Sequence, residues 1–448
     1  MSKRNKSKKR NKGIVKWCLI AVAAVLVVAV VCVWNFVLPD LDGGGYRYVA
    51  TNAISSFFKA ESSDEVDTFL EKTGGFIKGV CHPNEDYEQI SEANIEWVRF
   101  DLTSLPYDEN GDLTQGYINF KERAKGYADH GMKVMCVTQY PQVYIEAGLD
   151  PRDDANKEKI QEYARFIAQD LQGIVGGFQI TNEMGIEHFT LPLTLEEAAE
   201  YIGIQMEAMQ EVKGDIVVGF NLAGFTLYNF CELMKPYLEY CDYVALDLYL
   251  GCFEDMFKEI WIYDLILRYI WNYTEKPVLL NEFGYIGYGD IKTEEQKAEI
   301  LKSYGFESEE AARTDIMTLI QNLPKDFKEH MLGLEYHSDE ELANKLFDTE
   351  LASHLYRELQ GGYQLNNYRH TIEDQARFFT DTLARLEQLD FLCGAIVYCY
   401  SDSDACYICG QSDCPVETGW GLVDLNGEPK PAYYAVQEAF AGEWGDDR

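Results

Sequence analysis

The chain has 448 residues, 47% of them hydrophobic, and a formal net charge of -36. That is ample apolar material for one large core, and its surplus of acid repels phosphate backbones, which argues against a nucleic-acid partner. Its 30 Tyr, 23 Phe and 7 Trp supply core material and also the flat apolar faces on which sugar rings stack.

The charge is unevenly placed. Residues 1–16 hold eight basic side chains (Lys3, Arg4, Lys6, Lys8, Lys9, Arg10, Lys12 and Lys16) and no acid. Trp17–Leu38 follows, 22 residues with no charge and with Asn35 as the one strongly polar side chain. At about 1.5 Å per residue, such a helix is long enough to cross a hydrocarbon core of about 30 Å. The positive-inside rule then keeps the basic block cytoplasmic and the rest of the chain outside. The run is longer than a signal-peptide core and no small-x-small site follows it, which favours an uncleaved anchor. The expected organisation is a cytoplasmic tail (1–16), a transmembrane signal anchor (17–38), a linker or stem (39–74) opening on Pro39 and Gly43-Gly44-Gly45, and an extracellular domain (75–448) on a single-pass cell-membrane protein.

From Gly75 onward, short apolar or β-branched runs alternate with longer amphipathic ones, the pattern of a parallel sheet covered by helices. The predicted strands are Phe76–Cys81, Ile95–Phe100, Lys133–Val137, Gly177–Glu183, Ile216–Asn221, Tyr243–Tyr249, Lys276–Glu282 and Gly394–Tyr400. Predicted helices include Tyr87–Ala93, Phe120–His130, Asn156–Gln172, one opening on the capping box Thr194-x-x-Glu197, Thr371–Leu389 and Pro431–Phe440. Eight strands in this order fit a closed (β/α)8 TIM barrel. Residues 290–370 interrupt the rhythm after strand seven. They read as a helical insertion (293–302, 308–321 and 338–359) leaving the face of the barrel where active sites sit.

Two glutamates end apolar strands on that face: Glu183 in Ile-Thr-Asn-Glu-Met and Glu282 in Leu-Leu-Asn-Glu-Phe-Gly. A carboxylate in such a place is costly to bury unless it is paired or used. Two of them across one pocket supply the acid and the nucleophile or base of glycoside hydrolysis. The pattern resembles the clan A glycoside hydrolases, retaining enzymes on (β/α)8 barrels. In that clan, Asn-Glu ends strand four and a second Glu ends strand seven. The resemblance implies that Glu183 is the acid/base, that Glu282 is the nucleophile and that Asn182 binds the sugar 2-hydroxyl. It also implies a β-linked oligo- or polysaccharide substrate. A retaining pair is expected about 5 to 5.5 Å apart. Arg99, in Trp-Val-Arg-Phe-Asp, matches an arginine that holds the nucleophile, and Tyr249 matches a tyrosine beside it. Trp420 is a candidate stacking platform, and His82 and Tyr400 are further substrate-binding candidates, with Asp402 a lesser one. Met184 departs from the proline that often follows Asn-Glu, and the insertion departs from the usual short loop.

No P-loop, dinucleotide fingerprint or H-E-x-x-H motif is present, so neither a nucleotide cofactor nor a catalytic zinc is expected. Cys406, Cys409 and Cys414 form a C-x2-C-x4-C group with no histidine near it in sequence. In an oxidising compartment it reads as a loop disulfide rather than a metal site. Two other readings of the whole chain use the same barrel: a glycan-binding module that cuts nothing, and a transglycosylase that remodels a surface polymer.

Overall fold

The computed structural model describes residues 63–223, 227–253, 257–442 and 444. The expected tail and transmembrane run lie outside the described residues. Among the described residues, no helix is long and apolar enough to cross a membrane.

Eight parallel strands close into a barrel in sequential order: β1 Ile77–Cys81, β2 Trp97–Asp101, β3 Lys133–Val137, β4 Gly177–Gln179, β5 Val217–Leu222, β6 Tyr243–Asp247, β7 Val278–Phe283 and β8 Leu392–Val397. Strands β5 to β8 are buried at every position. This is why they read as continuous apolar runs rather than alternating ones. The expected helices recur within a few residues at Tyr87–Glu92, Gln115–Asp129, Asp154–Asp170, Leu195–Gln210, Ile372–Leu386 and Pro431–Phe440. The Thr194–Glu197 capping box is formed in both directions. Gly219 in β5 sits where a Cβ would lie 2.3 Å from the Tyr243 carbonyl oxygen, so β5 and β6 pair closely only because it is glycine.

Part of the expected stem is a helix, Asp64–Thr73, started by the Ser63 side chain and ended by Gly74 in the left-handed region. It packs across the N-terminal ends of the strands. Phe69 meets Tyr243 edge-on, and Lys72 pairs with Asp242.

Strands β6 to β8 are irregular where they reach the C-terminal face. Leu246 is level with Leu280, but Asp247 is level with Glu282, and the β7–β8 register shifts again between Leu280 and Phe283. In a regular strand, neighbours face opposite sides. The extra residue at this point lets Asn281 and Glu282 both turn into the barrel mouth.

The insertion is helical as expected, but more finely divided. Its helices are Glu294–Ser303, Glu309–Thr314, Ile316–Asn322, Lys325–Gly333, Asp339–Phe347 and Leu351–Tyr356. The predicted 308–321 helix breaks at Asp315, which leaves helical geometry (φ -125, ψ 54), and Lys325–Gly333 is an addition. These helices have their own core of Ile316, Leu319, Ile320, Phe327, Leu342 and Leu346. Cys406, Cys409, Cys414 and Val416, from the loop after β8, belong to that same core.

Candidate functional site

The barrel mouth is organised around Arg99, which is only 3% exposed. Its guanidinium donates to Glu282 Oε1, to Asn182 Oδ1 at 2.7 Å and to Gln179 Oε1 at 2.9 Å, and reaches Cys81 Sγ at 3.4 Å. Asp247 Oδ2 lies 3.9 Å away. A buried cation is stable only when its donors are taken up and its charge is met, and here both conditions hold. The surrounding acids keep the guanidinium charged, raising its pKa against the opposing effect of burial.

Glu282 receives one hydrogen bond on each oxygen, from Arg99 and from the Tyr249 hydroxyl. Two donors on one carboxyl fix its position in the barrel mouth. Glu183 stands in a different environment. β4 ends at Gln179, earlier than predicted, and Thr181 and Glu183 then adopt positive φ of 53 and 50. Non-glycine residues there carry a conformational cost that the neighbours must sustain. They do so with Thr138 Oγ1 accepting the Thr181 N–H at 3.0 Å and Asn221 Oδ1 accepting the Glu183 N–H at 2.9 Å. Burial, then the negative charge of Glu282, pushes the Glu183 carboxyl up to about 8; Arg99 opposes this and Glu417 adds to it. One carboxyl is thus clamped by donors and the other is held above the ordinary carboxylate range.

Asn182 Oδ1 accepts from Arg99, from Gln179 Nε2 at 2.9 Å and from Asn221 Nδ2 at 2.7 Å. Its amide nitrogen has no partner among the described residues and remains available to a ligand hydroxyl. Asn221 also donates to Asp247 Oδ2 at 2.6 Å, and Asn281 donates to Gln179 Oε1 at 2.5 Å. Asp247 is fully buried and its pKa is raised, first by burial and then by Glu282.

Five of the sequence candidates therefore meet: Arg99, Asn182, Glu183, Tyr249 and Glu282. His82 is exposed at the rim, edge-on to Tyr398 at 5.4 Å. Three candidates are placed otherwise. Trp420 is 1% exposed, enclosed by Tyr249, Tyr398 and Phe253, and its indole donates to the Val416 carbonyl. It supports Tyr249 from behind and offers no open face as a platform. Tyr400 is fully buried, and its hydroxyl donates to Gln89 Oε1 at 2.6 Å on the helix after β1. It lies beyond the end of β8, where strand alternation no longer fixes which side it takes. Asp402 pairs with Lys430 and accepts the Gly421 N–H, a loop-closing role.

Several residues of the site went unselected in the sequence. Asn221, Asp247 and Gln179 were legible as polar side chains inside apolar strands, a signal that a buried network needs them. Tyr398 packs between His82, Tyr249 and Trp420. Tyr140 stacks on Phe189 at 5.5 Å, within reach of the charges of Asp101, Glu282 and Glu183. Glu417, held up at about 8 by burial, is a third carboxyl near Glu282, and the hydroxyl of Tyr407 bonds to it. Cys406, Cys409 and Cys414 carry free thiols, which corrects the expected loop disulfide. The spacing showed no fourth ligand, but His354 of the insertion lies beside all three.

No protein-family model matches the chain, and no curated protein matches it. Solved structures do. A family 39 glycoside hydrolase from Bacteroides cellulosilyticus WH2 superposes with a TM-score of 0.50 at 12% identity, over 83% of this chain and 64% of that one. The GH53 catalytic domain of Ignisphaera aggregans gives 0.49 at 16% identity, over 84% and 93%. The GH2 β-galacturonidase of Eisenbergiella tayi gives 0.45 at 13% identity, over 83% and 52%, so the chain spans about half of that protein's length. At these identities the likeness is one of fold: the chain shares its (β/α)8 barrel with solved clan A glycoside hydrolases.

Proposed function

We propose that the chain is a retaining β-glycosidase or endo-β-glycanase, with Glu183 as acid/base and Glu282 as nucleophile. The observation that carries this reading is the contrast between the two carboxyls. Glu282 is hydrogen-bonded on both oxygens by Arg99 and Tyr249, whereas Glu183 is pushed up to about 8. An enzyme that must give a proton with one carboxyl and attack with another needs that asymmetry.

In the first step a Glu282 oxygen forms a bond to the anomeric carbon as the glycosidic C–O bond breaks. The Glu183 proton passes to the departing oxygen. Glu183, now anionic, then takes a proton from water as that water attacks the anomeric carbon, and the Glu282 ester bond breaks. Tyr249 and Arg99 hold Glu282 in line, and the free amide nitrogen of Asn182 meets the 2-hydroxyl. We place the enzyme on the outer face of a cell membrane, anchored by Trp17–Leu38, because the basic block precedes that apolar run.

The test is an assay of the chain against aryl β-glycosides and β-linked polysaccharides, alongside Glu183→Gln and Glu282→Gln. Turnover abolished in folded Glu282→Gln, and retained by Glu183→Gln only toward substrates with good leaving groups, is expected. Glycan binding without turnover, equal in all three proteins, would sink the reading.

A further inference from the structure

We propose that His354, Cys406, Cys409 and Cys414 form a structural zinc site that fastens the insertion to the loop after β8. The four side chains are buried, and their ligand atoms all lie within 4.8 Å of one another. His354 Nδ1 is 3.4 Å from Cys406 Sγ and 3.6 Å from Cys414 Sγ. Tetrahedral zinc, with Zn–S of about 2.3 Å and Zn–N of about 2.0 Å, requires sulfur and nitrogen about 3.5 Å apart. Both sulfur–nitrogen distances found are thus close to the spacing that ion needs.

The local chain has the shape of a metal knuckle. The Cys409 N–H points at Cys406 Sγ at 3.5 Å, the Gly410 N–H closes onto the Cys406 carbonyl at 2.7 Å, and Gly410 takes a positive φ of 68. Glycine suits this turn because its φ lies in the left-handed region, and a Cβ there would also meet the Asp326 carboxylate of the insertion at 2.6 Å. A disulfide between any two of these cysteines would leave the third thiol and His354 buried without a role.

Three thiolates and an imidazole select a borderline-soft divalent ion and fill all four positions, which makes the site structural rather than catalytic. Binding releases the thiol protons to solvent and leaves the metal's oxidation state unchanged. The need for such a tie is physical. The insertion consists of short helices, the longest ten residues, over a small core, and such units gain most from a metal staple. The ligands also flank two residues of the loop after β8. Tyr407, between two of them, is 71% exposed, and Glu417 lies three residues beyond Cys414. The ion would fix both relative to Glu282, but the site itself does not depend on the glycosidase reading.

The test is the metal content of the full chain, purified without chelator or added metal, beside Cys409→Ser and His354→Ala. About one zinc per wild-type chain is expected, with loss from both variants. Because the variants could fold poorly, cobalt(II) is also exchanged into the wild type. Thiolate-to-cobalt charge transfer with the intense visible bands of tetrahedral cobalt is expected. Wild-type chain with no bound transition metal, cobalt bands of an octahedral oxygen-ligated ion, or zinc retained in full by both folded variants would overturn the proposal.

Discussion

Replacing Glu183 by glutamine should make the protein more stable at high pH, while disabling it toward substrates with poor leaving groups. A carboxyl with an ordinary value of 4.5 that is pushed to about 8 in the folded chain binds its proton more tightly folded than unfolded. Wild-type stability therefore falls as pH rises from about 4.5 through about 8, and then levels off. Glutamine has no proton to lose, so the variant lacks this decline. The full displacement corresponds to a ceiling of about 5 kcal/mol. Glu183 is partly exposed and coupled to Glu282, so solvent screening and relaxation reduce this to about 1–3 kcal/mol. The assay is the difference in Tm between variant and wild type at pH 5, 7 and 9. It should be near zero at pH 5 and should grow to several degrees in favour of the variant by pH 9. A difference that is constant with pH, or that favours the wild type at pH 9, would refute the claim that burial and Glu282 hold Glu183 protonated.

Other consequences follow from the same network. Glycosidase kcat/KM should decline above about pH 8 as Glu183 loses its proton, and a profile still rising at pH 9 would contradict its role as the acid. Tyr249→Phe removes one hydrogen bond to a charged carboxyl, worth about 1.5–3 kcal/mol, and should cost roughly 10- to 150-fold in kcat/KM with little change in Tm. Arg99→Met leaves Glu282 and Asp247 buried without their cation and should lower stability by about 3–5 kcal/mol, read from denaturant midpoints. Gly219→Ala drives a Cβ against the Tyr243 carbonyl and should cost about 1–3 kcal/mol, read from denaturant midpoints.

The barrel was legible because its strands are buried on both faces and separated by amphipathic helices, so strand and helix periods differ clearly along the chain. Glu282 was legible because it stands at the C-terminal end of such a strand, one residue before Phe283. Glu183 was expected to end β4 but stands four residues past it, on a backbone held in the left-handed region by Asn221 and Thr138. What pattern reading missed depends on contacts between distant segments. Nothing in C-x2-C-x4-C announces His354, which lies 52 residues before Cys406, in the insertion. Tyr398 and Tyr400 look alike in sequence, yet one packs against Tyr249 and the other turns away to Gln89, because regular strand geometry stops at Val397. Trp420 looked like a platform because an aromatic in that loop suits a sugar, but Phe253 and Tyr398 cover it.

The most direct test of the account is to trap the glycosyl-enzyme. Once a turned-over sugar is known, its activated 2-deoxy-2-fluoro glycoside is incubated with the chain and the labelled peptide is mapped. A single adduct on Glu282 is predicted, because Glu282 is the carboxyl that Arg99 and Tyr249 hold in place. Turnover that continues with no adduct, or an adduct carried by another residue, would contradict the assignment of Glu282 as the nucleophile.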